Sequence, residues 1–315
     1  MSDPKMTSVA RDAPVETTAF TRKDFMSLTK ARLSLLVVVT TLAGYFVGTR
    51  MGLGAFDGWR LLHTMIGTTL AAFGSSVFNQ LMEMDADARM KRTAGRPLPS
   101  RKIPPAVAFG LGWVLSAFGV VHLGRLVNVE ASALCALTLI VYLFIYTPMK
   151  RKSALNTLVG AVSGAIPPVI GYVAAAGADA EAIRWGLFVA PAALFLFGLL
   201  FFWQLPHFLA INWMYREEYM RGGFVMWSNN DDTGAATGFR AVIYSIALLL
   251  TTAAAPFAGL SSWWFLPAAL LSGGYMVLLA WRLWKRPDRP AARRLFFYTL
   301  LYLPVVLGAF LVFVS

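Results

Sequence analysis

Nine stretches of the chain are apolar over about the length of a bilayer crossing: 30–49, 61–80, 104–124, 130–147, 155–177, 184–204, 239–260, 262–284 and 293–314. A helix needs about 20 such residues to span a ~30 Å hydrocarbon core. The runs are too long for strands and lack the alternation of a membrane barrel, so they predict helices. The seventh and eighth are nearly continuous, joined at the Gly-Leu-Ser-Ser of 259–262. In the fifth, Gly160 and Gly164 stand four apart, a small-residue face suited to close helix contact. Pro167 and Pro168 then interrupt the same run at membrane depth. Backbone groups freed there must be met by protein or by a wet cavity. The pattern is that of an all-α polytopic membrane protein, a bundle of nine transmembrane helices. Residues 1–24 are polar, and 1–27 are expected to be a disordered cytosolic tail, leaving 28–315 as one nine-helix domain. The tail lacks the apolar core of a signal peptide, and its Asp3, Asp12, Glu16 and Asp24 argue against an organellar transit peptide.

Composition argues against a soluble enzyme: 57% of residues are hydrophobic and 14% charged, with a mean hydropathy of +0.61. The net charge of +12 would suggest nucleic acid in a soluble protein, but in a membrane protein it reads as orientation. Of 28 Lys+Arg, 24 fall in the N-terminal segment and every second connection, and only Arg50, Arg60, Arg125 and Arg184 in the others. By the positive-inside rule, the N-terminus and the basic loops are cytoplasmic and Ser315 is outside. Eight spans would break that alternation. The single cysteine, Cys135, excludes disulfides and CxxC sites.

Three segments carry chemistry. In NQLMEMDADARMKRTAGRPLPSRK, Asn79, Glu83 and Asp87 are spaced four apart. They fall within an arc of about 80° on one helix face, with Asp85 pointing elsewhere. Two carboxylates and a carboxamide oxygen make a hard-oxygen site suited to Mg²⁺, which binds through one or two carboxylates plus substrate phosphates. Arg92, Arg96, Arg101 and Lys102 follow at once, and guanidinium groups match phosphate oxygens bidentately. Acids beside bases suit a diphosphate held through a bridging metal; an ordinary solvated loop has the same residue types. In YTPMKRKSALN, Pro148 is expected to end the fourth helix, with Lys150 and Arg151 near the membrane surface and Tyr146 just below. The cations can hold a leaving phosphate and the tyrosine face a developing positive charge, although membrane interfaces are rich in all three types. In FFWQLPHFLAINWMYREEYMRGG, Trp203, His207, Met214, Glu218 and Arg221 share one helical face, His207 and Glu218 lying about 20° apart. Such a histidine can ligate a metal, hold a propionate, act as acid or base, or simply be satisfied by a neighbour. His63 and His122 read as structural.

These segments resemble the intramembrane aromatic (UbiA-type) prenyltransferase superfamily. Asn79-x-x-x-Glu83-x-x-x-Asp87 followed by RTAGRPLPS is similar to its first acidic motif, and Tyr146-x-x-x-Lys150-Arg151 to its Tyr-Lys-Arg motif. The strings YTPMKRKSALNTLVGAVSGAIPPVIGY, WQLPHFLAINWMYREEYMRGG and RRLFFYTLLYLP resemble the haem branch, the protoheme IX farnesyltransferases. The match runs from the first span to the last. It departs from quinone-type relatives at Gln80 and Glu83, where they carry Asp, and after the sixth helix, where His207, Glu217 and Glu218 replace a second Asp-rich motif. That counts against a second tightly bound Mg²⁺.

The resemblance implies a central cavity capped by cytoplasmic loops in a bacterial inner membrane. It implies farnesyl transfer from farnesyl diphosphate to a protoheme IX vinyl group, giving haem O, with haem A synthase and terminal-oxidase assembly factors as partners and no nucleic acid. Asn79, Glu83 and Asp87 would hold Mg²⁺. Arg92, Arg96, Lys150 and Arg151 would stabilise the leaving diphosphate, with Tyr146 beside them. Trp203, His207, Glu217, Glu218 and Arg221 would face the haem. A quinone-precursor aromatic acid or another tetrapyrrole is the alternative acceptor. A transporter is the alternative class, disfavoured by carboxylates at helix ends and the lack of an evident inverted repeat.

Overall fold

A computed structural model of the chain describes residues 20–177 and 182–315. The helices are α1 Arg22–Leu28, α2 Ala31–Arg50, α3 Gly58–Met82, α4 Met84–Arg89, α5 Pro105–Leu126, α6 Val129–Met149, α7 Asn156–Ala174, α8 Pro191–Met214, α9 Arg216–Gly222, α10 Ala235–Ala253, α11 Phe265–Lys285 and α12 Arg289–Phe313. Among the described residues nine are long and apolar enough to cross a membrane: all except α1, α4 and α9.

Three boundaries depart from the sequence expectation. The tail expected through residue 27 is helical from Arg22, while residues 1–19 lie outside the described residues. Thr21 and Asp24 form a reciprocal capping box on α1. Gln80 Nε2 then donates to Ser27 O (2.7 Å) and Leu28 O (2.9 Å), fixing the end of α1 to α3. The sixth span runs 191–214 rather than 184–204. Arg184 is held outside it by a fork to Glu130 (2.8 and 3.1 Å) and by the carbonyls of Ala176 and Gly177, and Pro191 opens the helix. The seventh ends at Ala253, ahead of a turn closed by Gly259 at φ +68°.

α7 is the interior helix, 78% buried over its apolar window against at most 56% for any other span. It breaks at Ile166, before Pro167 and Pro168, into Asn156–Ala165 and Pro167–Ala174. Its second half meets α2 backbone to backbone: a Cβ on Gly44 would lie 1.8 Å from Pro168 O, and one on Gly171 1.8 Å from Thr41 O. The Gly160/Gly164 face serves side chains instead of a helix, admitting the Tyr146 ring and the Gln204 amide. α6 contains a π-helical turn, Val141–Tyr146, and Thr147 Oγ1 donates to Tyr142 O (2.8 Å) there. The widened turn lets the helix continue through Pro148 to Met149.

At the basic end, α4, α9 and the 223–234 loop form a cap. Ala86, Met90, Phe224 and Met226 make its small core. Val225 N donates to Lys150 O (2.7 Å), Asn156 Nδ2 to Val225 O (2.7 Å) and Arg89 Nη2 to Gly222 O (3.2 Å). The cap is thereby held together between α4 and α9 and fixed to the ends of α6 and α7.

Candidate active site

Beneath the cap lies a chamber with two compartments. The polar one, about 1010 Å³, is at the basic end. The apolar one, about 270 Å³, lies between α2, α3, α6, α7 and α8. They meet at Leu33, Tyr142, Tyr146, His207 and Phe208, which line both.

The sequence places Asn79, Glu83 and Asp87 on one face, and the structure keeps them so although α3 stops at Met82. Glu83 N still donates to Asn79 O (3.0 Å) and Asp87 N to Glu83 O (2.8 Å), so the four-residue repeat crosses the break. All three are buried, while Asp85 is exposed. Each meets a cation: the Lys30 amino group donates to Asn79 Oδ1, Lys150 Nζ lies 2.7 Å from Glu83 Oε1, and Arg96 Nη1 lies 2.6 Å from Asp87 Oδ2. Burial would raise the Glu83 pKa, but the charges of Lys150 and Lys30 outweigh it and hold the carboxyl below its ordinary range. Burial likewise opposes the Lys150 ammonium, yet Glu83 prevails and its pKa is raised. For Lys30 burial prevails, and its pKa falls to about 7 despite the Glu83 charge.

Among the described residues no three His, Cys, Asp or Glu side chains cluster as a metal site. Two carboxylates and one amide oxygen, each already facing a cation, fit a hard divalent ion that completes its shell with water and phosphate. Arg92 lines the polar compartment, its guanidinium 5.5 Å from the Tyr215 ring centroid. The Tyr146 ring lies 4.5 Å from Lys150 Nζ.

Lys30 is the site residue the sequence reading missed. It stands immediately before the first apolar run, where a basic residue reads as topogenic. Its left-handed backbone, φ +46°, makes the corner between α1 and α2. Asn156, Thr157 and Tyr219 also line the polar compartment without having been singled out.

Other expected residues lie elsewhere. Arg151 is exposed and lines neither compartment, because the turn after Met149 directs Lys150 inward and its neighbour outward. Arg101 and Lys102 are also outside the lining, Lys102 pairing with Asp24 at 3.2 Å. The long face from Trp203 to Arg221 does not exist, since α8 ends at Met214 and α9 restarts after Tyr215, packed on α4. Glu217 and Arg221 are exposed, and the half-buried Glu218 lines neither compartment. His207 remains in the chamber. Trp203 packs beside it, with its Nε1 donating to Thr299 O (2.7 Å). His63 and His122 bond to each other (3.0 Å), toward the opposite end of α3 and α5.

The chain matches the UbiA prenyltransferase family over residues 37–301. It is 39% identical over 295 residues to a protoheme IX farnesyltransferase of Solibacter usitatus, covering 92% of this chain and 98% of that one. A solved digeranylgeranylglyceryl phosphate synthase shares the fold at a TM-score of 0.74 and 16% identity, over 92% of this chain and 97% of that one. A UbiA homologue of Archaeoglobus fulgidus, solved bound to GPP and Mg²⁺, shares it at 0.56 and 12%, over 91% and 99%.

Proposed function

The chain belongs to the UbiA prenyltransferase family, and from that premise we infer that it transfers the farnesyl group of farnesyl diphosphate to a vinyl group of protoheme IX, giving haem O and diphosphate. The observation that carries the reading is the chamber's division: an acid–cation cluster above, an apolar compartment below, and aromatic side chains at the junction. The near full-length likeness to a protoheme IX farnesyltransferase supports the acceptor.

Asn79, Glu83 and Asp87 would hold Mg²⁺, which when bound would draw charge from the diphosphate as its C–O bond breaks. Lys30, Arg92, Arg96 and Lys150 bind and orient that diphosphate, and their fixed charges favour the more anionic leaving group. The apolar compartment takes the prenyl chain and excludes bulk water from the allylic cation. The Tyr146 face, already beside one cation, stabilises that developing charge. One vinyl carbon bonds to farnesyl C1. A water supplies the hydroxyl at the other vinyl carbon, and its proton leaves to solvent. The basic end is assigned to the cytoplasm of a bacterial inner membrane.

Mass spectrometry of haems extracted from cells expressing the protein tests the assignment. Haem O is the expected product. A prenylated phenolic acid without haem O would move the chain to another acceptor.

A further inference from the structure

His207 is built into the junction in a manner the transfer of a prenyl group does not by itself require. Its ring is stacked on Trp203 (centroids 5.4 Å, 21° between planes) and on Phe296 (4.9 Å, 29°). Its Nδ1 lies 2.7 Å from Thr299 Oγ1. The Thr299 hydroxyl has a single proton, and donates it to Phe296 O at 2.5 Å. Thr299 Oγ1 must therefore accept from His207, which fixes the neutral tautomer with the proton on Nδ1. Nε2 is left as a lone pair. His207 lines both compartments, and among the described residues none donates a hydrogen bond to Nε2.

The half-buried ring lines both compartments, so this lone pair is open to a ligand in the chamber. An imidazole whose other nitrogen donates to a fixed acceptor, with its ring locked by packing, has the form of a metal-ligating histidine. The polar compartment that His207 lines has a volume of about 1010 Å³ and carries the aromatic side chains of Tyr142, Tyr146, Phe208, Tyr219 and Phe224. We propose that His207 Nε2 is the axial ligand of the iron of the haem substrate, and that Thr299 sets the ring for it. The proposal rests on the haem-prenylating reading above. The iron is not altered in the reaction; the bond sets the height and tilt of the macrocycle, and with them the reach of the vinyl edge toward the prenyl carbon. His207 is thus a substrate ligand and Thr299 a positioning residue.

The test uses the purified full-length protein in nanodiscs, titrated with haem and, separately, with iron-free protoporphyrin IX. Absorption and electron paramagnetic resonance spectra report the iron's ligand. The parent should show a histidine-ligated haem spectrum. His207→Ala should lose it and weaken haem binding by at least ~10-fold, and added imidazole should restore it by filling the vacated space. Thr299→Val keeps the imidazole but removes its acceptor, and should weaken haem binding by ~10-fold. Neither change should alter affinity for protoporphyrin IX, which has no iron to ligate; that retained affinity also shows the variants folded. An unchanged haem spectrum in His207→Ala overturns the ligand assignment and leaves the prenyltransferase reading intact. Equal losses for haem and protoporphyrin IX overturn it too, making His207 a wall residue. A parent that binds neither porphyrin, yet prenylates a phenolic acid, overturns the acceptor reading itself.

Discussion

At the scale of single residues, the site is a set of matched charges, and each change is read through its partner. Glu83→Gln and Asp87→Asn conserve size but remove the charge facing Lys150 and Arg96. Each should cut diphosphate release from farnesyl diphosphate by at least ~10-fold, since hydrogen bonds to charged groups contribute about 1.5–3 kcal/mol. Asp85→Asn lies on the exposed side and should stay within about twofold of the parent, because solvated surface charges contribute little. Comparable losses from all three would replace the one-face site with a diffuse acidic loop. Lys30→Met removes the cation on Asn79 and should weaken inorganic diphosphate binding by ~10-fold in calorimetry. Unchanged affinity would make Lys30 a structural strut at the α1–α2 corner.

At the scale of elements, what could be read from sequence was what local periodicity decides. Asn79, Glu83 and Asp87 share a face because a spacing of four survives even the break at Glu83. The Pro-Pro interruption of the fifth span is likewise visible in the chain alone. Glu218 and Arg221 were misplaced because a helix break at Tyr215, with α9 turning to pack on α4, is set by contacts distant in sequence. The entry of Lys30 depends on α1 being fixed by Gln80, another long-range bond. The small-residue face was found in the right helix, but its closest helix contact is through Gly171, one turn past the prolines. Gly171→Ala would set a Cβ 1.8 Å from Thr41 O, a backbone atom that cannot move without parting α2 from α7. The expected cost is about 1–3 kcal/mol, the range for overpacking a close contact, read as a lower melting temperature of the solubilised protein. Gly274→Ala, exposed on α11 with nothing within 4 Å, is the control and should be neutral or slightly stabilising. Equal melting temperatures for the two variants would mean that the α2–α7 contact yields freely.

At the scale of the whole molecule, the charge distribution predicts an orientation for the bundle. The cluster of Lys30, Arg92, Arg96 and Lys150 and the polar compartment lie at the end that gathers 22 of the 26 basic residues among the described residues. An odd number of spans, nine among the described residues, sends the last helix to the opposite end. The structure makes that end explicit. Ser262 N donates to Phe313 O (2.8 Å) and Ser315 N to Leu260 O (3.3 Å), tying the C-terminus to the turn between α10 and α11. That turn carries no Lys or Arg, whereas the α11–α12 connection holds six between Arg282 and Arg294. Positive loops are retained on the cytoplasmic side, so the chamber's mouth should open there. A water-soluble diphosphate substrate would then enter without crossing the bilayer. Reporters active in only one compartment, fused after Ser315 or inserted at residue 287, should read outside and cytoplasm respectively. Two cytoplasmic signals would remove one of the nine spans. Two reversed signals would put the mouth outside, and diphosphate delivery would require a separate export step.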